Sequence, residues 1–185
     1  MKKLTLLCAI SSAFFASNSF AHNVQLNSSL PAAQVTDKGE MLLNNGEIHY
    51  QAWQSEKLAG KVRVLHHFAG RSSVKEKNEP LMNAIREAKF TPEKYQTTSI
   101  INANDVVFGT GGFVKSKAES GKKENAHSQV ILDQQGSVKN AWQLKEKESL
   151  IVVLDATGKV RFVQEGALSQ QEVQQVVGLV TELTK

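Results

Sequence analysis

The stretch Val62-Arg63-Val64-Leu65-His66-His67-Phe68-Ala69 constrains this chain more than any other part of it. It is a β-rich apolar run without strict alternation, the pattern of a central strand covered on both faces. Such a strand needs helices on both sides of its sheet, and the residues that follow supply one. Ser73 with Glu76 three positions later matches a capping box, in which the hydroxyl accepts an otherwise unpaired backbone N–H and the carboxylate reaches back. Val74, Leu81, Ile85 and Ala88 then recur at helical spacing. They predict one helix over Ser73–Lys89, bent at Pro80 where the ring displaces a backbone hydrogen bond.

The remaining elements follow from similar patterns. Residues 22–45 read as a polar N-terminal extension, and Gly46 marks a turn before a short strand at Glu47–Trp53 and a helical turn at Ser55–Ala59. Tyr95–Asn102 is a second strand, ending in the turn-prone cluster Asn102-Ala103-Asn104-Asp105. Gly109-Thr110-Gly111-Gly112 reads as a flexible loop, with a helix over Phe113–Ser120; it is no phosphate loop, because Lys115 lacks the preceding glycine. Two hairpins are expected, Val130–Gly136 turning into Ser137-Val138 and Val152–Gly158 turning into Lys159–Phe162, each with Asp and Gly bracketing the reversal. Ser169 and Glu172 form a second capping box, and Val173, Val176, Val177, Val180 and Leu183 line one face of a C-terminal helix. Strands alternating with helices give an α/β layered domain with a mixed sheet.

Met1–Ala21 reads as a secretory signal peptide. Lys2 and Lys3 form its positive start, Leu4–Ala16 its apolar run, and Ser19-Phe20-Ala21 places small residues at a cleavage site after Ala21. A membrane-spanning helix needs ~20 apolar residues, and this run is shorter before it breaks into Ser17-Asn18-Ser19. Removing 21 of the 185 residues leaves 164 and takes away Cys8, the chain's single cysteine. Cys8 lies inside the apolar run, a poor place for a lipid attachment. Thiol-disulfide exchange, cysteine peroxidase chemistry and thiolate metal sites all need sulfur that the processed chain lacks. No later run is long enough to serve as a transmembrane anchor.

The apolar fraction of 41%, with 12 Gly and 3 Pro, is that of a globular protein and excludes collagen or wholesale disorder. Without Lys2 and Lys3, the 22 basic residues fall to 20 against 18 acidic ones. Mixed runs such as Lys75-Glu76-Lys77 and Lys145-Glu146-Lys147-Glu148 read as solvated faces, so no nucleic-acid partner is expected.

Several of these residues resemble a known group. Leu58-Ala59-Gly60-Lys61-Val62, the strand to Phe68-Ala69, the helix entered at Ser72–Lys75 and Pro80 within it look like the start of exported thioredoxin-fold proteins of the thiol-disulfide interchange and peroxiredoxin type. The likeness runs on through Val130-Ile131-Leu132-Asp133, Ala141-Trp142-Gln143-Leu144, Leu150–Asp155, Gly158 and Gly166, covering Gly46–Lys185. Within that group, the signal peptide followed by His22, the string His67-Phe68-Ala69-Gly70-Arg71-Ser72-Ser73-Val74-Lys75-Glu76-Lys77-Asn78, and Tyr95-Gln96-Thr97-Thr98 are similar to the YtfJ family of bacterial periplasmic proteins, whose biochemical role is not established. The resemblance implies a periplasmic location and a thioredoxin-like three-layer domain over residues 22–185, with a central mixed sheet flanked by helices.

The departures from the thioredoxin pattern bear most on function. That pattern carries Cys-x-x-Cys at the strand-to-helix junction, where the helix N-terminus stabilises a thiolate. Ser72 and Lys75 occupy those two places here. A hydroxyl has no accessible redox couple and an ammonium cannot resolve a mixed disulfide. The cis-proline loop that faces the dithiol is missing too, with Ser149 at about its place. His66 aligns with a buried polar position of the central strand, a supporting group beneath Ser72.

Ser72-Ser73-Val74-Lys75 also matches the bare Ser-x-x-Lys pattern of serine acyl enzymes. The Ser-Asp-Asn and Lys-Thr-Gly elements of those enzymes do not occur, and helix-capping serines with a solvated lysine explain the same residues. His66 and His67 are adjacent on a strand and point to opposite faces, so they cannot share one metal in regular geometry. His22, His49 and His127 show no ligand spacing, and neither a metal nor another cofactor is expected.

The function expected is a non-redox binding or accessory module, with no catalytic residue assigned. The alternatives are a hydrolase-like enzyme using Ser72 and Lys75, and a structural subunit of an envelope assembly. The expected binding surface joins Arg71, Ser72, Lys75 and the loop around Ser149, where a strand end meets a helix N-terminus and its partly positive N–H groups. It suits a small anionic ligand or an acidic segment of a periplasmic protein.

Overall fold

The computed structural model describes residues 22–185. The proposed signal peptide lies outside the described residues. Seven strands, β1 (Gln34–Asn44), β2 (Glu47–Gln54), β3 (Val62–Ala69), β4 (Tyr95–Asn102), β5 (Gln129–Asp133), β6 (Ser149–Leu154) and β7 (Val160–Glu165), form one mixed sheet in the order β2-β1-β5-β4-β3-β6-β7. Five helices accompany it: α1 (Ser72–Glu76), α2 (Glu79–Ala88), α3 (Gly111–Glu124), α4 (Ser137–Trp142) and α5 (Gln170–Leu183). This is the expected α/β three-layer arrangement. All eight residues of β3 are buried, as the unbroken apolar run predicts. The strand pairs in parallel with β4 and antiparallel with β6.

Alternate residues of β3 serve different layers. Val62 and Val64 pack with Ile151, Val153 and Phe162 of the neighbouring strands and with Leu81 and Ile85 of α2 and Val176 and Val180 of α5. Phe68, on the same side, meets Val74 of α1, Ile101 and Ala118. Leu65 faces the opposite layer, where Trp53, Val138 and Trp142 pack with Ile100, Ile131 and Leu150. The C-terminal helix begins with the predicted capping box: Glu172 N–H donates to Ser169 Oγ, and Ser169 N–H donates to the Glu172 carboxylate at 2.7 Å.

Four expectations are corrected. The polar start contains β1, whose only fully buried apolar side chains are Val35 and Met41, so its sequence carries little of the strand pattern. Gly39 at φ +77° interrupts the register with β2; a Cβ there would stand 2.1 Å from the Gln51 carbonyl oxygen. The single bent helix over Ser73–Lys89 is two helices, broken at Lys77-Asn78, with Pro80 in the first turn of α2 where its missing N–H costs nothing. The capping box at Ser73 and Glu76 does not form, because Ser73 lies inside α1 and Arg71 takes the cap position without a side-chain bond. Lastly, Val130–Gly136 does not turn into a hairpin strand. Asp133 is fully buried and its carboxylate accepts N–H bonds from Gln135, Ser137 and Val138, starting α4. The second expected hairpin is present as β6 and β7.

The break between α1 and α2 is held by Asn78, which is 1% exposed. Its Nδ2 donates to Ser149 Oγ at 3.0 Å and to the Gly166 carbonyl at 2.9 Å, and its Oδ1 accepts from Leu168 N–H at 3.0 Å. One side chain thus ties α2 to β6 and to the approach to α5. Replacing it leaves buried polar groups without partners, so Asn78→Ala is expected to lower unfolding free energy by about 2 to 3 kcal/mol. Asn83→Ala on the exposed face of α2 is the control, with a change within about 0.5 kcal/mol. Urea denaturation of both variants measures the difference.

Candidate functional site

The sequence points to the end of β3, and the structure builds a corner there from three chain segments. Gly70 N–H donates to the Asn102 carbonyl at 2.9 Å, and Ala69 N–H donates to the Glu148 carbonyl at 3.1 Å. A Cβ on Gly70 would lie 2.7 Å from Val106 Cγ1 and 3.3 Å from Val114 Cγ1. Glycine therefore allows the segment after β4 to close over the β3–α1 junction.

Asp105 is the pivot of this corner. Arg71 Nε donates to the Asp105 carbonyl at 3.1 Å, its Nη2 meets Asp105 Oδ1 at 3.3 Å, and Nη2 also donates to the Val106 carbonyl at 3.3 Å. Lys147 N–H donates to Asp105 Oδ2. Beside it, Lys77 Nζ and Glu148 Oε1 form an ion pair at 2.6 Å. Arg71 is therefore partly buried and already neutralised, holding the loop after β4 against the helix entrance.

Ser72, Ser73 and Lys75 are exposed on α1. The side chains of Ser72 and Lys75 make no hydrogen bond or ion pair with one another. α1 is five residues long, so the N–H groups that open it belong to little more than one turn. The field expected from a helix running on to Lys89 is correspondingly reduced. Ser149 lies apart from these residues in function: it is 1% exposed, accepts from Asn78 and donates to the Gly166 carbonyl at 3.2 Å. It opens β6 beside Phe68, and no peptide bond among the described residues is cis.

His66 and His67 are each 2% exposed and sit on opposite faces of β3. The His66 ring packs against Phe68 with centroids 4.6 Å apart. His66 faces the α1 side, where Lys75 adds positive potential; His67 faces the other layer, where Lys139 does the same and Asp105 partly offsets it. Burial, which disfavours the charged ring, pushes both down from 6.5 to about 3. Both rings are neutral at pH 7, and the Nε2 atom of each has no hydrogen-bond partner. Among the described residues no three His, Cys, Asp or Glu side chains gather as metal ligands.

Asp105 and Asn78 were not singled out by sequence reasoning. Asp105 was legible only as part of a turn cluster, and its partner Arg71 lies 34 residues away. Asn78 carries a local signal, a polar residue just ahead of Glu79-Pro80, which marks a helix start.

The mixed sheet and its flanking helices have the thioredoxin-like fold, and comparison with solved structures agrees. A putative protein disulfide isomerase from Bacteroides thetaiotaomicron superposes with TM-score 0.59 at 16% identity, over 88% of this chain and 92% of that one. A Plasmodium vivax 2-Cys peroxiredoxin gives TM-score 0.56 at 11% identity, over 85% and 96%. At such identities the likeness shows the fold alone. Residues 24–183 match the family described as "Bacterial protein of unknown function (YtfJ_HI0045)", and the chain belongs to that family. It is 52% identical over its whole length to an "Uncharacterized protein" of Haemophilus influenzae that it covers completely. It is also 46% identical to "Uncharacterized protein YtfJ" of Escherichia coli, over 89% of this chain and 90% of that protein.

The two imidazoles tie stability to pH. Their folded pKa values lie below the unfolded value of about 6.5, so between pH 6.5 and 3 the unfolded chain binds protons that the folded one refuses. The stability they contribute is present above pH 6.5 and is lost as pH falls. From pH 7 to pH 4 each ring is expected to cost about 3 kcal/mol. His67→Leu removes one of these terms, and urea denaturation across that pH range should show a shallower loss by roughly that amount. An unchanged slope would show that His67 titrates normally in the folded protein.

Proposed function

We propose that this YtfJ-family protein is an exported, periplasmic binding or accessory module that performs no thiol-disulfide chemistry. The observation that carries the reading is the composition of the β3–α1 junction. Exposed Ser72 and Lys75 stand at the places where the redox pattern of the fold has its two sulfurs, and the chain's one cysteine, Cys8, is remote in sequence. The signal-like character of Met1–Ala21 supports export. Processing after Ala21 would leave intact the contacts of the following residues, among them Asn23 N–H to the Trp142 carbonyl at 3.2 Å and the burial of Val24.

The binding surface we assign is the exposed part of the same corner: Ser72, Lys75 and Lys147, with Arg71 fixing the loop beside them. Lys75 and Lys147 make no ion pair among the described residues, which favours an acidic segment of a partner protein or a small anion. Arg71 acts through position, because its charge is spent on Asp105. Among the described residues the Ser72 hydroxyl and the Lys75 ammonium share no hydrogen bond, so the acyl-enzyme reading gains no support.

Four measurements test the proposal on the exported protein as the cell processes it. Insulin reduction and peroxide turnover are expected at the buffer rate, and fluorophosphonate is expected to leave Ser72 unlabelled. Chemical-shift mapping with a poly-glutamate peptide and with inorganic phosphate is expected to move the amides of Ser72–Lys75 and Lys147, and Lys75→Gln should weaken the effect. Sustained reductase activity, labelling of Ser72, or shifts confined to another surface would overturn the assignment.

A further inference from the structure

The segment between β4 and α3 carries a feature that neither the fold nor the junction explains. Phe108 is fully exposed, and Val107 and Phe113 are 52% and 59% exposed. The large apolar side chains exposed among the described residues are these three and Leu26, so three of the four fall within seven residues of sequence. Scattered apolar residues on a surface are ordinary; three exposed ones so close in sequence, one of them a fully exposed phenyl ring, call for an explanation.

The segment is held in place. Arg71 grips it at Asp105 and Val106, Val106 and Val114 close on Gly70, and both Thr110 N–H and Thr110 Oγ1 donate to the Val107 carbonyl, at 3.0 and 2.7 Å. Gly109 at φ +81° makes the turn just after Phe108. The ring is thus presented outward by an anchored loop.

The segment itself is cationic. From Val106 to Ala118 the chain has two lysines, Lys115 and Lys117, and no acidic residue. Lys117 Nζ lies 5.5 Å from the centroid of the Phe113 ring. Lys115 is paired with Glu119, whereas Lys117 has no carboxylate partner among the described residues. The same holds for Lys75 on α1 and for exposed Lys147, which is joined to the loop through Asp105. Asp105 itself is neutralised by Arg71.

We propose that this loop is a membrane-docking knob that seats on an anionic phospholipid surface. Phe108 enters the boundary between headgroups and acyl chains, Val107 and Phe113 follow at its flanks, and Lys117, Lys75 and Lys147 lie over the phosphates. Exposed aromatic rings with ammonium groups on long stems are the combination that an interface with an apolar interior and a negative surface attracts. A bilayer needs no pocket shaped to the ring, which favours it over a protein partner for a convex knob. No helix of the described residues is long and apolar enough to cross a membrane, and the proposed contact is peripheral. The proposal does not rest on the binding reading of Ser72.

Co-sedimentation of the exported, processed protein with vesicles tests it. The protein is expected to pellet with vesicles of mixed phosphatidylglycerol and phosphatidylcholine, to be released by salt, and to stay in solution with phosphatidylcholine alone. Phe108→Ser should reduce binding about tenfold or more, the effect of keeping a phenyl ring in water, while circular dichroism shows the fold retained. Phe108→Trp should give a blue-shifted emission quenched by brominated lipid, a signal distinct from buried Trp53 and Trp142. Failure of the wild-type protein to bind the anionic vesicles, or equal binding by Phe108→Ser, overturns the proposal. If the wild type ignores vesicles but dimerises in a way that Phe108→Ser abolishes, the knob is a protein contact and the lipid assignment is wrong.

Discussion

Everything in this fold depends on β3 being buried on both faces. Its neighbours β4 and β6 satisfy its backbone, so its side chains must be covered by separate layers above and below the sheet. The strand nevertheless carries Arg63, His66 and His67, and the protein accommodates them by different means. Arg63 keeps its charge by donating to the Leu58 carbonyl, Gln96, Thr98 and Gln129. The histidines lack such acceptors at Nε2 and lose their charge instead.

The end of that strand is also where three chain segments meet. Glycine at position 70 allows the close approach of the segment after β4, and the Arg71–Asp105 pair converts that approach into a fixed geometry. One carboxylate then links the helix entrance, the loop bearing Phe108 and the loop before β6. A surface serving a partner segment and a surface serving a membrane would thereby share one anchored corner. An exposed phenyl ring such as that of Phe108 adds little to the stability of the isolated domain.

The comparisons separate architecture from chemistry. Structures at 11 to 16% identity share the sheet and its layers, and their printed activities belong to them. A fold supplies a place for chemistry; the residues at that place decide which chemistry is possible. Here that place holds a hydroxyl and an ammonium on a one-turn helix.

The sequence alone determined the buried central strand, the extent of β4, the capped C-terminal helix and the α/β class, because each depends on short-range periodicity or on a local cap. It also determined that the junction bears Ser72 and Lys75. It did not reveal β1, since an edge hairpin buries few side chains and leaves little pattern, and it misread Asp133 because the same Asp-to-Gly spacing starts a hairpin or a helix. The tertiary structure decided that Ser149 is spent inside the protein on Asn78, that Arg71 is spent on Asp105, and that Phe108 stands in water. The first two outcomes rest on contacts between residues 34 to 88 positions apart, which only packing of the whole chain brings together.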